Sequence, residues 1–245
     1  ILLEAVLDSN PTVLGSGTLS ADQNPLASVG GIASFGGVNY TKAEVIRLRA
    51  TRTGLTPVLS TAVDVQPAAI DHFRVEPDSA TLTAGTPFDV TIRAYDNLDN
   101  IILDYDLRAA SHTFGFTTTA SNAPGGTTPL LATLSAGDFT NGVAVRSSTL
   151  YDAVTGASIT FSVTESDTNK SGTTSLTPIA TVNPAVEDHI AFTVEPSAMP
   201  SAGIDFPMQP TIHIRDQYEN IRIVDTDDIL LEAVLDSNPT VLGSG

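Results

Sequence analysis

The residues best placed to do chemistry lie in two short acidic stretches, Asp96-Asn97-Leu98-Asp99-Asn100 and Asp216-Gln217-Tyr218-Glu219-Asn220. Calcium is held by about six to eight oxygens drawn from carboxylates, carbonyls and amides. Asp96, Asp99, Asn100, Asp216, Glu219 and Asn220 therefore form a candidate calcium set. The same spacing also suits a plain turn, in which Asp accepts hydrogen bonds from its own backbone and Asn takes a left-handed conformation. Neither stretch carries the DxDxDG pattern with a later Glu that marks an EF-hand loop. A cation here would lie near Asp71, or near Glu187 and Asp188, and would stiffen a joint between domains. Asp104-Tyr105-Asp106 and Asp225-Thr226-Asp227-Asp228 read as solvated strand faces or ends.

The four histidines, His72, His112, His189 and His213, have no metal-ligand spacing such as HxxxH. The pairs Asp71-His72 and Asp188-His189 recur, which points to junction chemistry. Adjacent strand residues face opposite ways, so the two side chains of each pair are not expected to meet. Cysteine is absent, as are GxSxG, phosphate-loop and GxGxxG patterns. No catalytic residue and no organic cofactor is nominated, and an enzyme is not expected. Asn39-Tyr40-Thr41 and Asn169-Lys170-Ser171 fit the glycosylation acceptor pattern, at the frequency that chance allows in a Thr- and Ser-rich chain.

The elements that position these groups follow from composition and repetition. Among 245 residues there are 28 acidic and 11 basic side chains, a formal charge of −17. Such a surface repels nucleic acid and anionic lipid, and suits an extracellular or cell-surface protein. No stretch reaches the ~20 apolar residues of a membrane span, so membrane insertion is not expected. Trp is absent, so a core must be built from Val, Ile, Leu, Ala and Phe. The Thr, Ser, Gly and Val bias favours strands and turns.

Residues 1–17, ILLEAVLDSNPTVLGSG, reappear letter for letter at 229–245. The chain therefore holds one period of 228 residues and the start of a second. The period divides again. Asp71-His72 with Val75-Glu76-Pro77 is answered by Asp188-His189 with Val194-Glu195-Pro196, and TIRAYDNLDNI at 91–101 by TIHIRDQYENI at 211–221. Val65-Gln66-Pro67-Ala68 is answered by Val182-Asn183-Pro184-Ala185. One unit spans 71–187; the other is cut by the chain ends into an early part, 188–245, and a late part, 1–70.

Apolar and polar residues alternate over Phe88–Tyr95, Ser158–Thr164 and Ala62–Val65, and less cleanly over Glu44–Ala50, the period-two mark of strands. Ile229–Leu235 reads as a buried strand. About seven strands in ~110 residues give a β-sandwich. The fold class is all-β: tandem immunoglobulin-like antiparallel β-sandwiches with negligible helix.

Glu76-Pro77, Ala84-Gly85, Asp96 and Asn100, with Glu195-Pro196, Ala202-Gly203, Asp216 and Asn220, resemble bacterial immunoglobulin-like tandem repeats. Such repeats occur in invasin-like and giant surface adhesins, and filamin-type domains are similar. The resemblance implies the sandwich fold, and a role as spacer or adhesin. The segment 104–141 is longer than in the shortest members and is expected to hold an insertion or extra strands. It is also the surface expected to serve an alternative function, glycan or partner binding.

A sandwich enters at one end and exits at the other, so unit 71–187 should hold the two halves of the second unit apart. Each half would then be completed by a neighbouring copy of the same repeat, end to end, either covalently in a giant chain, as identical repeats favour, or by strand exchange between subunits. A surface receptor is not legible in the sequence.

Overall fold

Val-, Ile- and Thr-rich runs between Gly, Pro, Asn and Asp turns fold as strands throughout the computed structural model, which describes residues 1–223, 225–235 and 238–242. The first 70 residues hold β1 (Leu2–Leu7), β2 (Asn10–Leu14), β3 (Leu19–Ser20), β4 (Asn39–Tyr40), β5 (Val45–Thr51), β6 (Val58–Leu59) and β7 (Val63–Asp64). Next come β8 (His72–Pro77), β9 (Thr81–Thr83), β10 (Phe88–Tyr95), α1 (Tyr105–Arg108), β11 (Phe114–Thr118), β12 (Leu130–Leu131) and β13 (Val143–Thr149). The same unit ends with β14 (Val154–Ile159), β15 (Phe161–Glu165), β16 (Ser171–Thr173) and β17 (Ile179–Asn183). Beyond it lie β18 (Glu187–Val194), β19 (Thr211–Asp216), β20 (Val234–Leu235) and β21 (Asn238–Leu242).

The run expected over 158–164 is divided between β14 and β15 at Thr160. The Thr160 backbone turns instead to Thr119, whose hydroxyl accepts from its N–H at 2.9 Å and whose N–H donates to its carbonyl at 3.1 Å.

In the unit 71–187 one layer runs β12-β13-β10-β8. The facing strands run β11-β15-β16 and β14-β17-β9. With β14–β15 and β16–β17 each taken as one interrupted strand, the layers are A-B-E-D and C-F-G, the immunoglobulin arrangement. One pairing departs from the antiparallel expectation: β9 lies parallel to β17, Leu82 opposite Val182. This adds a short A′ strand to the second layer.

Alternation along β10 buries Phe88, Val90, Ile92 and Ala94, while β15 contributes Phe161 and Val163. Each fully buried side chain of this size contributes about 1.5–3 kcal/mol. The segment 104–141 is built into the sandwich: it supplies α1, β11, β12 and a 3-10 turn over Ala136–Asp138. Tyr105 and Phe139 pack edge to face in the core, centroids 4.8 Å apart.

The first 70 residues form a sheet β2-β1-β5-β6, with β7 also pairing β5, and a separate two-stranded sheet β3-β4. Strands β18 and β19 form a two-stranded sheet, and β20 and β21 another. Among the described residues, no strand of 1–70 pairs with any of these four.

The buried strand expected over Ile229–Leu235 is not there. Residues 229–233 are irregular, and only Val234–Leu235 are in a strand. Leu231 is 58% exposed, whereas its twin Leu3 is 9% exposed. The reason is the partner: β1 pairs along its whole length with β5, and nothing in the chain offers residues 229–233 an equivalent edge among the described residues.

Candidate functional site

The two acidic turns fold alike, and each is tied to the domain before it. Asp96 is buried where β10 ends, because its carboxylate is saturated by donors. Its Oδ1 accepts from the amides of Leu98 and Asn100, both at 2.9 Å. Its Oδ2 accepts from the Ala68 amide at 2.9 Å and from Asn100 Nδ2 at 3.0 Å. Asn100 then reaches across the joint: its Oδ1 accepts from the Ala43 amide at 2.9 Å, and its Nδ2 also donates to the Thr41 carbonyl at 3.0 Å.

The second turn repeats every one of these bonds. Asp216 Oδ1 accepts from Tyr218 and Asn220 at 2.9 and 3.0 Å, and Oδ2 from Ala185 and Asn220 Nδ2, both at 2.8 Å. Asn220 accepts from Ala153 at 2.9 Å and donates to the Tyr151 carbonyl at 2.8 Å. The linker amides involved, Ala68 and Ala185, each follow a proline, Pro67 or Pro184. Proline fixes a backbone angle and removes a donor, so the linker enters the clasp with little freedom.

The six residues of the candidate calcium set thus divide into two groups. Asp96, Asn100, Asp216 and Asn220 are gathered inside the clasps with their oxygens given to N–H donors. Asp99 and Glu219 take the left-handed position of each turn, φ 59° and 70°, and face basic partners instead. Asp99 meets Arg74 at 2.8 Å and His72 Nε2 at 3.3 Å. Glu219 meets Arg215 at 2.6 Å and His189 Nε2 at 3.3 Å. Among the described residues, no group of three or more Asp, Glu or His side chains converges as a metal shell would.

The recurring Asp-His pairs correct the alternation argument. His72 Nδ1 lies 3.3 Å from Asp71, and His189 Nδ1 lies 3.0 Å from Asp188. Asp71 precedes the first residue of β8, and β18 slips register between Glu187 and His189. In neither place does the regular pleat hold. Each imidazole therefore bridges the acid before it and the acid of the turn, Asp99 or Glu219.

Burial pushes the Asp96 carboxyl up, but the hydrogen bonds from Asn100, Ala68 and Leu98 outweigh it and hold the group below the usual carboxylate range. Lys170, 3.2 Å away, and His72 hold Asp71 low as well.

The joints differ at the apex of the turn. Leu98 is exposed in the first. In the second, Tyr218 stacks at a tilt on Tyr151, centroids 4.9 Å apart, and packs against the core. Its carbonyl accepts from the Gly125 amide at 3.0 Å. Gly85, at φ +76°, leaves the space that the Tyr218 ring fills. A second set of cations closes the linkers: Arg108 donates to the Ala68 carbonyl at 2.8 Å, and Arg222 donates to the Ala185 carbonyl.

Sequence reasoning located the turns but not their partners. Thr41, Ala43, Tyr151 and Ala153 contribute only backbone atoms, which leave no trace in residue type. It also missed Glu165, wholly buried beneath the first joint. Glu165 accepts from Tyr105 at 2.8 Å and also bonds His112 and Thr168. The alternation Phe161, Val163, Glu165 would have placed it inside the sandwich.

No family model matches the sequence, and no curated protein matches it. Among solved structures, the chain is similar to FdeC, described as a novel broadly conserved Escherichia coli adhesin eliciting protection against urinary tract infections. The two are 14% identical, with a TM-score of 0.37. The likeness covers 76% of this chain and 53% of that one, so this chain spans about half the other's length. The immunoglobulin assignment rests on the strand order itself.

Proposed function

We propose that the chain is a structural repeat, one period of an end-to-end array of immunoglobulin-like domains forming an extracellular filament or adhesin stalk. The observation that carries this reading is the clasp. The same six hydrogen bonds tie Asp96 and Asn100, and then Asp216 and Asn220, to the linker and to the preceding domain. Two successive joints built alike, with the linker amide inside the turn, suit a protein whose task is to keep successive domains at a set angle. Buried carboxylate hydrogen bonds resist bending better than a solvated linker, because each broken bond leaves a desolvated group unpaired.

The partners are neighbouring copies of the same repeat. Residues 188–245 carry the early part of a sandwich and residues 1–70 the late part of one, so each copy completes its neighbour. The acidic surface, −17 overall, keeps nucleic acid and anionic membranes away. The clasp works through N–H donors and needs no calcium.

The test is small-angle scattering on a protein of two joined periods. A sandwich about 40 Å long implies an advance of about 80 Å per period. The maximum dimension should grow by that amount over one period. A compact particle, with the domains folded beside one another, would overturn the proposal.

A further inference from the structure

Of the five tyrosines in the chain, two meet across the second joint. Tyr151 lies just before β14, and Tyr218 at the apex of the second acidic turn. Their ring centroids are 4.9 Å apart and their planes are tilted by 58°. The clasp itself sets this meeting. The Tyr218 amide donates to Asp216 Oδ1 at 2.9 Å, and the Tyr151 carbonyl accepts from Asn220 Nδ2 at 2.8 Å. Asn220 Nδ2 also donates to Asp216 Oδ2 at 2.8 Å, so one short run of hydrogen bonds fixes both backbones. Gly85 leaves room for the Tyr218 ring, and the Gly125 amide holds the Tyr218 carbonyl at 3.0 Å. Both tyrosines are half-buried: their contact is held, and part of each remains open to solvent.

The other three tyrosines are engaged differently. The Tyr40 hydroxyl bonds Glu44 and accepts from the Gly17 amide at 2.6 Å. Tyr95 stacks on His72, with Arg74 over its ring. Tyr105 is buried against Phe73, Phe114 and Phe139 and donates to Glu165 at 2.8 Å. Among the described residues, no other two tyrosine rings are in contact. At the first joint the same two positions hold Thr41 and Leu98, which make the equivalent backbone bonds.

We propose that Tyr151 and Tyr218 form an oxidative modification site, at which a dityrosine bond staples the second joint. A one-electron oxidant of the peroxidase class takes one electron from each phenol, and each phenol releases its hydroxyl proton. The two phenoxyl radicals join by a carbon–carbon bond between ring positions ortho to the oxygens. Each ring then recovers its phenol by moving the ortho hydrogen to oxygen. Hydrogen peroxide takes up the two electrons and two protons and leaves as two waters. Two rings already in contact avoid the entropy cost of bringing radicals together, and a tilted pair at this distance is an ordinary aromatic contact that costs nothing to hold. Without cysteine, no disulfide can lock this joint; two phenols in contact offer another covalent lock. The inference needs the second joint and not the end-to-end array, so the two readings can fail separately.

The experiment treats the dilute 245-residue chain with a peroxidase and hydrogen peroxide. The product should show dityrosine fluorescence, remain a single chain in denaturing electrophoresis, and lack two hydrogens by mass. After trypsin, residues 147–170 should be joined to residues 216–222, the peptides that carry Tyr151 and Tyr218. Tyr218→Phe keeps a ring in the joint and should abolish the product, whereas Tyr95→Phe should leave it. Hydrogen exchange at Tyr218 and Gly125 should slow in the stapled chain.

Absence of the product, a product that joins separate chains or involves Tyr40, Tyr95 or Tyr105, or an equal yield from the chain unfolded in urea would overturn the site. The expected peptides with unchanged hydrogen exchange would overturn its role as a staple. None of these results bears on the scattering of two joined periods, which tests the array.

Discussion

Asn220 gives Asp216 two N–H groups at once: its backbone amide meets Oδ1 at 3.0 Å and its side-chain amide meets Oδ2 at 2.8 Å. The remaining oxygen and hydrogen of that side chain are spent on Ala153 and Tyr151 of the preceding domain. One residue therefore closes the turn and holds the joint, and Asn100 does the same at the other joint. No other side chain of this length offers both an acceptor and two donors.

Asn220→Ala should cost about 1–3 kcal/mol, since the Ala153 amide and Tyr151 carbonyl lose their partner at a partly buried joint. Thermal unfolding should record that loss. Small-angle scattering should show a wider range of interdomain angles, with the sandwich 71–187 intact by circular dichroism.

Gly85→Ala should destabilise the second joint. The residue sits at φ +76°, and a methyl group there meets the Tyr218 ring. Strain of about 1 kcal/mol at that angle is joined by displacement of the ring. Hydrogen exchange should quicken at Tyr218 and Gly125. Leu98→Ala, on the exposed apex of the first turn, should change stability by less than about 0.5 kcal/mol.

Acid should loosen the first joint. Asp96 is held below the ordinary carboxylate range in the folded protein. Its contribution is present at neutral pH and is lost as the pH falls through that lowered value. Scattering curves should stay constant down to about pH 4 and broaden below it.

The buried group under that joint should give the 71–187 sandwich a window of greatest stability. The hydrogen bond to Glu165 raises His112 above its usual 6.5. Burial pushes Glu165 up, but bonds from Thr168, His112 and Tyr105 outweigh it and hold it below 4.5. The histidine's contribution is complete below 6.5 and is lost as the pH rises through its raised value. The carboxylate's contribution is complete above 4.5 and is lost as the pH falls through its lowered value. Urea midpoints should peak between these limits, and His112→Gln should remove the decline on the alkaline side.

Calcium and chelator should leave the scattering curve of the chain unchanged, because each clasp carboxylate already accepts four N–H donors. A contraction or stiffening with calcium would mean that the turn opens and releases Asp96 or Asp216 to the ion.

Much of this protein is written locally. The 228-residue repeat, the strand over Phe88–Tyr95 and the position of both acidic turns are legible because alternation, turn residues and repetition depend only on neighbours in sequence. Even the hairpin in the repeated segment is local: Val6 opposite Leu14 and Leu7 opposite Asn10 recur as Val234 opposite Leu242 and Leu235 opposite Asn238. The meeting of Asp71 with His72 was not legible, because it depends on where the pleat begins. Nor were the partners of Asn100 and Asn220, which are backbone atoms 59 and 69 residues away.

The clearest division lies within one stretch of sequence. Residues 2–5 lie in strand β1, and their identical copies at 230–233 are in no strand. Residue types set the capacity for a strand, and they are the same in both places. A strand also needs a partner for its backbone N–H and C=O groups. For the first copy β5 supplies it; for 230–233 no strand does among the described residues.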